Sequence, residues 1–506
     1  MTKAKSSEVT AERFDLSCPF EVVCDHNMAE YYPEIRRVVS VWANPLPDSK
    51  FLSSGTLEFG GCVEFTMLYI GEDGSLSHLT CSCEYSERTA LPEEIRGVSE
   101  ASVDVYTVDT SFRVTAPRRV TLRAKLRARI ISDKVISLTE SVMEGEKPCD
   151  MATCRTVKSL RKSIPTVRRG FTSQTCNVSG EHKCALGTKI LSCPGAVSIS
   201  EVRARSGAAT VRGDVVLKCL VFSENGGYSS QKIKMPFEEV VSDDTISEGD
   251  MILAYGRVAS AAVKEDANDS GTFVADAEFD LNLKWMRGDS CNILCDAYST
   301  SWSMANEHTD IPALSPLCCT SSPLSVSGTG KRSSRGETGE YLVDVDMMPR
   351  FEKVECEDGK AVFVGTVTVR AYIAGGGDVL CEEFSLPLKF ETSCEDGCGE
   401  AVWWASASVC DAYGGLEGDG IAVNGELSVS VCAVRKNKIS PVTVMQINKG
   451  EARYTDESEL RVIYPDGGES VWSIAKACGA DIDGVERLNG VCRTDLATKP
   501  VVLPLC

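Results

Sequence analysis

The sequence predicts a mainly β protein: three tandem β-sandwich-like domains, then a small α+β module of strand, helix, helix and strand. Three observations carry this expectation. A glycine-led strand and turn recurs at constant spacing, long stretches alternate apolar and polar residues, and the last segment switches to helical spacing between two short strands.

The recurrent element starts at Gly61, Gly213 and Gly365, which stand 152 residues apart (213 − 61 and 365 − 213). In the first copy Gly61 to Tyr69 leads to the turn Glu72-Asp73-Gly74; in the second Gly213 to Val221 leads to Glu224-Asn225-Gly226; in the third Gly365 to Ile373 leads to Gly375-Gly376-Gly377-Asp378. Return strands are expected over Leu76 to Tyr85, Ser229 to Phe237 and Leu380 to Phe390, so each copy contains a hairpin. A period of this length is too long for a solenoid repeat and points to triplication of a domain.

About 60 residues beyond each glycine comes a second alternating strand. It carries Leu122, Ala124, Leu126, Ala128 and Ile130 in the first copy, Ala275 to Leu283 in the second and Ile421 to Val431 in the third. One polar face and one apolar face is what a half-buried antiparallel strand requires. In the first copy the polar face is a basic row, Arg123, Lys125, Arg127 and Arg129, near Arg118 and Arg119. Such a row is either paired with carboxylates on neighbouring strands or forms a salt-sensitive docking strip for an acidic partner.

Polar stretches mark the expected joints. Ser163 to Gly180 separates the first two copies, Thr320 to Gly339 is read as a flexible linker before the third, and Ile439 to Glu459 leads to the terminal module. The expected domains are residues 1–147, 185–318 and 341–438, with the linker at 319–340 and the module at 459–506.

In the module Leu460, Val462 and Tyr464 form a strand, and Asp466-Gly467-Gly468 a turn. A helix then carries Val471, Ile474, Ala475 and Cys478 on one stripe; after Gly479 a second has Ile482, Val485 and Leu488, and Val501 to Leu503 closes the module. Ser470 and Asp481 are placed to N-cap the two helices. Gly484, inside the second helix, costs on the order of 1 kcal/mol relative to alanine. Trp472 lies beside the apolar stripe and has two readings, an interface anchor or a residue packed along the module's edge.

These residues carry a resemblance. Gly468 to Lys476, then Leu488-Asn489, then Val502-Leu503-Pro504 resemble a LysM domain, with Glu469 and Ser470 where the family has Asp and Thr. The resemblance implies a binding module for N-acetylglucosamine polymers or a protein partner, held in a groove between two loops. It places the contact surface at Gly468, Glu469, Ser470, Val471, Trp472, Leu488, Asn489, Gly490 and Val491. In the middle copy, Val197 to Ala204, Val211 to Val215 and Cys295 to Thr300 resemble the SPOCS domain of endospore coat proteins, and the outer copies resemble it more loosely. SPOCS-like units followed by a LysM module are similar to spore coat assembly proteins of the SipL-like kind. That likeness implies a protein of the mother-cell cytoplasm that joins coat layers to the forespore surface, its partners being the coat-base ATPase (stage IV sporulation protein A-like) and other coat proteins. Peptidoglycan glycan is the alternative partner.

Composition fits a binding protein of this sort. A formal charge of −20 repels phosphate backbones, so nucleic acid is not an expected partner. Neither an export signal nor an apolar run long enough for a bilayer is read in the chain, and the 24 cysteines are expected to be reduced, acting mostly as small hydrophobes. Four histidines, with only His182 close to a cysteine, give no metal-ligand pattern. Gly328-Thr329-Gly330-Lys331-Arg332-Ser333 lacks the first glycine and the Ser or Thr after lysine that a P-loop needs. No nucleophile, acid-base or cofactor motif is recognised, so neither an enzyme nor a cofactor is expected, and a non-enzymatic scaffold is what the resemblance implies.

Overall fold

The computed structural model describes residues 7–53, 55–93, 101–138, 142–144, 156–184, 188–223, 227–266, 269, 271–332, 339–357, 359–376, 378–393, 400–452 and 460–504. The chain is mainly β, with many small antiparallel sheets and two short C-terminal helices flanked by strands. Among the described residues no helix is long and apolar enough to cross a membrane.

One six-strand arrangement occurs three times. Ser7–Asn27, Arg119–Leu138 and Ala101–Ala116 form a sheet in that order, and Ile35–Ser53, Thr56–Gly71 and Leu76–Ala90 form another. The same two orders recur with Val157–Lys183, Thr272–Ser299 and Met251–Glu265 beside Gly195–Arg205, Ala208–Ser223 and Gly227–Ser242. They recur again with Ile311–Lys331, Gly420–Ile439 and Ala401–Glu417 beside Tyr341–Glu357, Lys360–Gly375 and Asp378–Ser393. In the first set Val22, Val41, Phe65, Tyr85, Val105 and Leu126, contributed by all six strands, share one core. The second set has a comparable core from both its sheets around Val215, Ile233, Phe279 and Leu281.

The recurring glycines occupy one position. Gly61, Gly213 and Gly365 lie on the middle strand of their sheet, each next to the bulge of the preceding strand, at Pro47/Ser49, Ile199/Glu201 and Phe351/Lys353. A Cβ there would stand 2.2 Å from the Leu46 carbonyl oxygen, 2.2 Å from that of Ser198 and 1.9 Å from that of Arg350. The bulge pushes a carbonyl into the space a side chain would need, so glycine is required.

The expected joints are corrected. Ser163 to Gly180 lies inside the strand Val157–Lys183, and Thr320 to Lys331 lies inside Ile311–Lys331, paired along its length with Gly420–Ile439. Ser333 to Gly336 of the expected linker fall outside the described residues, as do Glu224-Asn225-Gly226 and Gly377 of the expected turns. The strand sets therefore begin upstream of residues 185 and 341, at Val157 and Ile311. Within Ile439 to Glu459, Val442–Ala452 is a strand pairing antiparallel with Trp302–His308 and parallel with Val142–Glu144. Gly328 and Gly330 serve packing, since a Cβ would meet Leu386 and the Phe384 ring at 2.4 Å in both cases; the false P-loop is extended strand.

The three sets also pack on one another rather than hanging on flexible joints. Leu68, Ile70 and Leu76 of the first meet Leu191 and Leu220 of the second and Val343, Tyr372 and Val379 of the third. Arg37 binds Asp378 at 2.6 Å, Lys218 binds Asp344 at 2.7 Å, and Arg257 donates to the Pro45 carbonyl at 2.6 Å across these contacts. Cys193 and Cys219 are joined by a disulfide, which departs from the expectation of reduced thiols.

Candidate functional site: the C-terminal module

The module folds as strand, helix, helix and strand. Leu460–Ile463 pairs antiparallel with Val501–Pro504, and between them lie α1, Val471–Cys478, and α2, Ile482–Asn489. The Ser470 hydroxyl accepts from the Ser473 amide at 3.1 Å, capping α1, and Gly479 ends it at φ 69°. Asp481 makes no side-chain cap to α2; its carboxylate is drawn instead to the Lys158 ammonium. Gly484 is explained by close packing, because a Cβ there would stand 2.7 Å from Pro504 Cγ.

The named contact residues divide into two groups. Val471 and Trp472 are buried, at 1% and 4% exposure. Asn489 is a bracket within the fold: its amide donates to the carbonyls of Val485 and Val502, and its Oδ1 accepts from the Val502 amide at 2.8 Å. By contrast, Gly468 and Gly490 are exposed at left-handed φ of 84° and 64°, and Leu488 is 55% exposed. Glu469, Ser470 and Val491 are half-buried. The first loop is held to the segment after α2, with the Ala497 amide donating to the Glu469 carbonyl and the Val471 amide to that of Asp495. Arg493 fixes that segment by binding Glu486 at 2.7 Å and Asp483 at 2.9 Å.

Trp472 is therefore not a free interface indole. Its ring packs edge-on to Tyr298 at 4.9 Å, its Nε1 donates to Asp296 Oδ2 at 2.8 Å, and Lys476 Nζ reaches Asp296 Oδ1 at 2.7 Å. The Tyr298 hydroxyl donates to the Ala480 carbonyl at 2.7 Å, and Leu160 closes the apolar contact. Burial alone pushes the Asp296 carboxyl up, but Lys476 and the indole N–H outweigh it and hold it below its ordinary value. This anchor to the second strand set was missed by sequence reasoning, although Asp296 and Tyr298 lie in the Cys295 to Thr300 segment that carried the SPOCS resemblance.

The basic row is resolved toward pairing. Arg123 binds Glu21 at 2.9 Å, Lys125 binds Asp109 at 3.1 Å, Arg129 Nε donates to Asp15 at 3.0 Å, and Arg118 binds Glu34 at 3.3 Å. These carboxylates sit on adjacent strands or the nearby turn, so these four cations are engaged rather than offered to a partner, each exposed pair contributing about 1 kcal/mol or less, whereas the buried Nε of Arg127 has no hydrogen-bond partner among the described residues. No family model, curated protein or solved structure matches this chain.

Proposed function

We propose that this protein is a non-enzymatic scaffold of endospore coat assembly, built from three SPOCS-like sandwich units and a LysM-like module that docks the coat-base ATPase. The observation that carries the reading is the way the module is mounted. Trp472 and Lys476 of α1 fix it to Asp296, while Gly468, Leu488 and Gly490 at its loops stay exposed. A rigidly held module loses little entropy on binding, which suits a docking surface. The threefold repetition of one strand arrangement supports reading each set as SPOCS-like, and the mutually packed sets support a rigid platform in the mother-cell cytoplasm at the forespore surface.

The test uses the full chain, purified and presented both to the coat-base ATPase and to purified peptidoglycan. Capture of the ATPase, weakened by Leu488→Ser in a chain that keeps its melting temperature, is the expected result. Retention on peptidoglycan with no capture of the ATPase would overturn the scaffold and leave glycan binding as the function.

A further inference from the structure

Where the three strand sets converge lies a cavity of about 520 Å³, lined from all three. The lining positions are equivalent. Leu126, Phe279 and Leu427 each face a bulge in the neighbouring strand, at Thr107/Asp109, Val258/Ser260 and Val409/Asp411. Counting five onward from each (131 − 126, 284 − 279, 432 − 427) gives Ile131, Lys284 and Cys432, and all three line the cavity.

The fold is satisfied by isoleucine or cysteine at this position, so it does not demand the lysine. The first strands tell the same story: Arg13, Arg169 and Pro316 pair with Asp133, Met286 and Val434, which are again equivalent, and two of the three copies carry arginine where the third has proline. The chain has placed Arg13, Arg169 and Lys284 around a space that its own architecture would accept without them, and exposed Lys50 lines it too.

These cations are under-compensated. Asp133 binds Arg169 Nη1 at 3.0 Å, but the buried Nε and Nη2 of Arg169 have no hydrogen-bond partner among the described residues. Among the described residues Lys284 makes ring contacts, 5.2 Å from the Tyr255 centroid and 5.1 Å from that of Trp404, and no ion pair. The carboxylates nearest in effect, Asp15 and Asp104, are held by Arg129 and Arg257. Burial, with smaller repulsion from Arg13 and Arg129, pushes the Lys284 ammonium down to about 8, and burial and then Arg169 push Arg13 down. Buried donors left unpaired are costly, and a bound anion is what would satisfy them. Phe171, Trp285 and Trp404 add flat apolar walls, and exposed Phe51 and Val135 mark where the cavity reaches the surface.

We propose that this cavity binds a small organic dianion, its carboxylate or phosphoryl groups on Arg13, Arg169 and Lys284 and its planar apolar body against the aromatic walls. A cavity of this volume suits a ligand of that size. The site rests on the cavity and its cations, independently of the coat-scaffold reading and of the C-terminal module.

Titration calorimetry of the full chain, with tryptophan fluorescence followed in parallel, tests it with isophthalate, phenyl phosphate, inorganic phosphate and neutral benzamide as probes. Isophthalate and phenyl phosphate distinguish carboxylate from phosphoryl recognition. Saturable binding of at least one, a change in tryptophan emission, and no binding of benzamide are expected. Lys284→Met and Arg13→Gln should each weaken that binding about tenfold or more, as loss of a charge-assisted contact does. Lys353→Ala, at an exposed pair with Glu355, should not alter it. Absence of binding by every dianion, or binding undiminished in both Lys284→Met and Arg13→Gln, overturns the proposal. Inorganic phosphate binding as tightly as phenyl phosphate overturns the assignment of the aromatic walls.

Discussion

Trp472 of the terminal module donates its indole N–H to Asp296, 176 residues upstream, at 2.8 Å. That carboxylate also takes the Lys476 ammonium, so one aspartate receives two donors from α1 and fixes the direction in which the module faces. Asp296→Ala strands both donors at a contact that is largely dry apart from Lys476, whose side chain is 38% exposed. We expect a loss of about 2 kcal/mol in module docking, after allowance for that exposure. Faster amide exchange across Val471–Cys478, with exchange in Thr56–Gly71 unchanged, checks it.

Acid should release the same contact. The Asp296 carboxyl is held below its ordinary value, and Asp483, beside Lys158 and then Arg493, is held low too. A carboxyl whose folded pKa is depressed contributes stability that is present above its unfolded value of about 3.9 and is lost as pH falls through the folded value. Acidification below about pH 4 should therefore shift Trp472 emission toward that of an exposed indole. In Asp296→Asn the acid-dependent part should shrink; an identical acid profile in that variant would place the titration elsewhere.

The triplicated glycines make a sharper test of packing. Gly61→Ala, Gly213→Ala and Gly365→Ala each drive a methyl into a backbone carbonyl that the bulge has pushed inward. We expect each to cost about 3 kcal/mol, read as a fall in melting temperature. Gly415→Ala, with no heavy atom within 4 Å of its added Cβ, should change stability by about 0.5 kcal/mol or less.

Those glycines were legible because their requirement is local: a bulge in the adjacent strand forces the same residue in every copy. The expected linkers were misread for an equally physical reason. Ile311–Lys331 is an edge strand rich in Ser, Thr and Gly and carries Pro312, Pro316 and Pro323, which an edge tolerates because one row of its amides needs no partner. Its polarity looked like a linker because its apolar coverage comes from Leu386 and Phe384 of another strand, lying over Gly328 and Gly330. Trp472 shows the same limit. Helical spacing places it beside the stripe, and only the Asp296 and Tyr298 surface, far away in sequence, decides that it is buried. The cavity cations were missed, Arg169 lying in the Ser163 to Gly180 stretch read as a joint, because their convergence needed the three sets to close on one another.

On the proposed scaffold function, the buried and the exposed members of the module make different predictions for partner binding. Trp472→Ala and Asn489→Ala should weaken capture of the coat-base ATPase together with the stability of the module, because each holds the fold or its mounting. Leu488→Ser, at an exposed side chain, should weaken capture by a factor of about ten with the melting temperature unchanged. Lys331→Ala, in extended strand, should leave both unchanged. Equal capture by Leu488→Ser and the native chain would move the contact away from the exposed C-terminal end of α2.

Lys284 offers the last prediction, and it runs against intuition for a charged residue. Its ammonium is pushed down by burial from 10.5 to about 8, so between those values the unfolded chain binds more protons than the folded one. Stability then rises with pH through that window, and the full penalty is present at pH 7, where both states are protonated. A shift of this size corresponds to about 3 kcal/mol. Lys284→Met should therefore raise the melting temperature at pH 7, and its advantage over the native chain should shrink as pH climbs from 8 toward 10.5. Ile131, at the equivalent position of the first set, already shows that an uncharged side chain fits there. Denaturant unfolding of both chains at pH 7 and pH 10 measures the difference. A lysine that costs stability where the first set carries isoleucine suits a residue kept for what it binds, and on the proposed anion site the same substitution that strengthens the fold should empty the cavity of its anion.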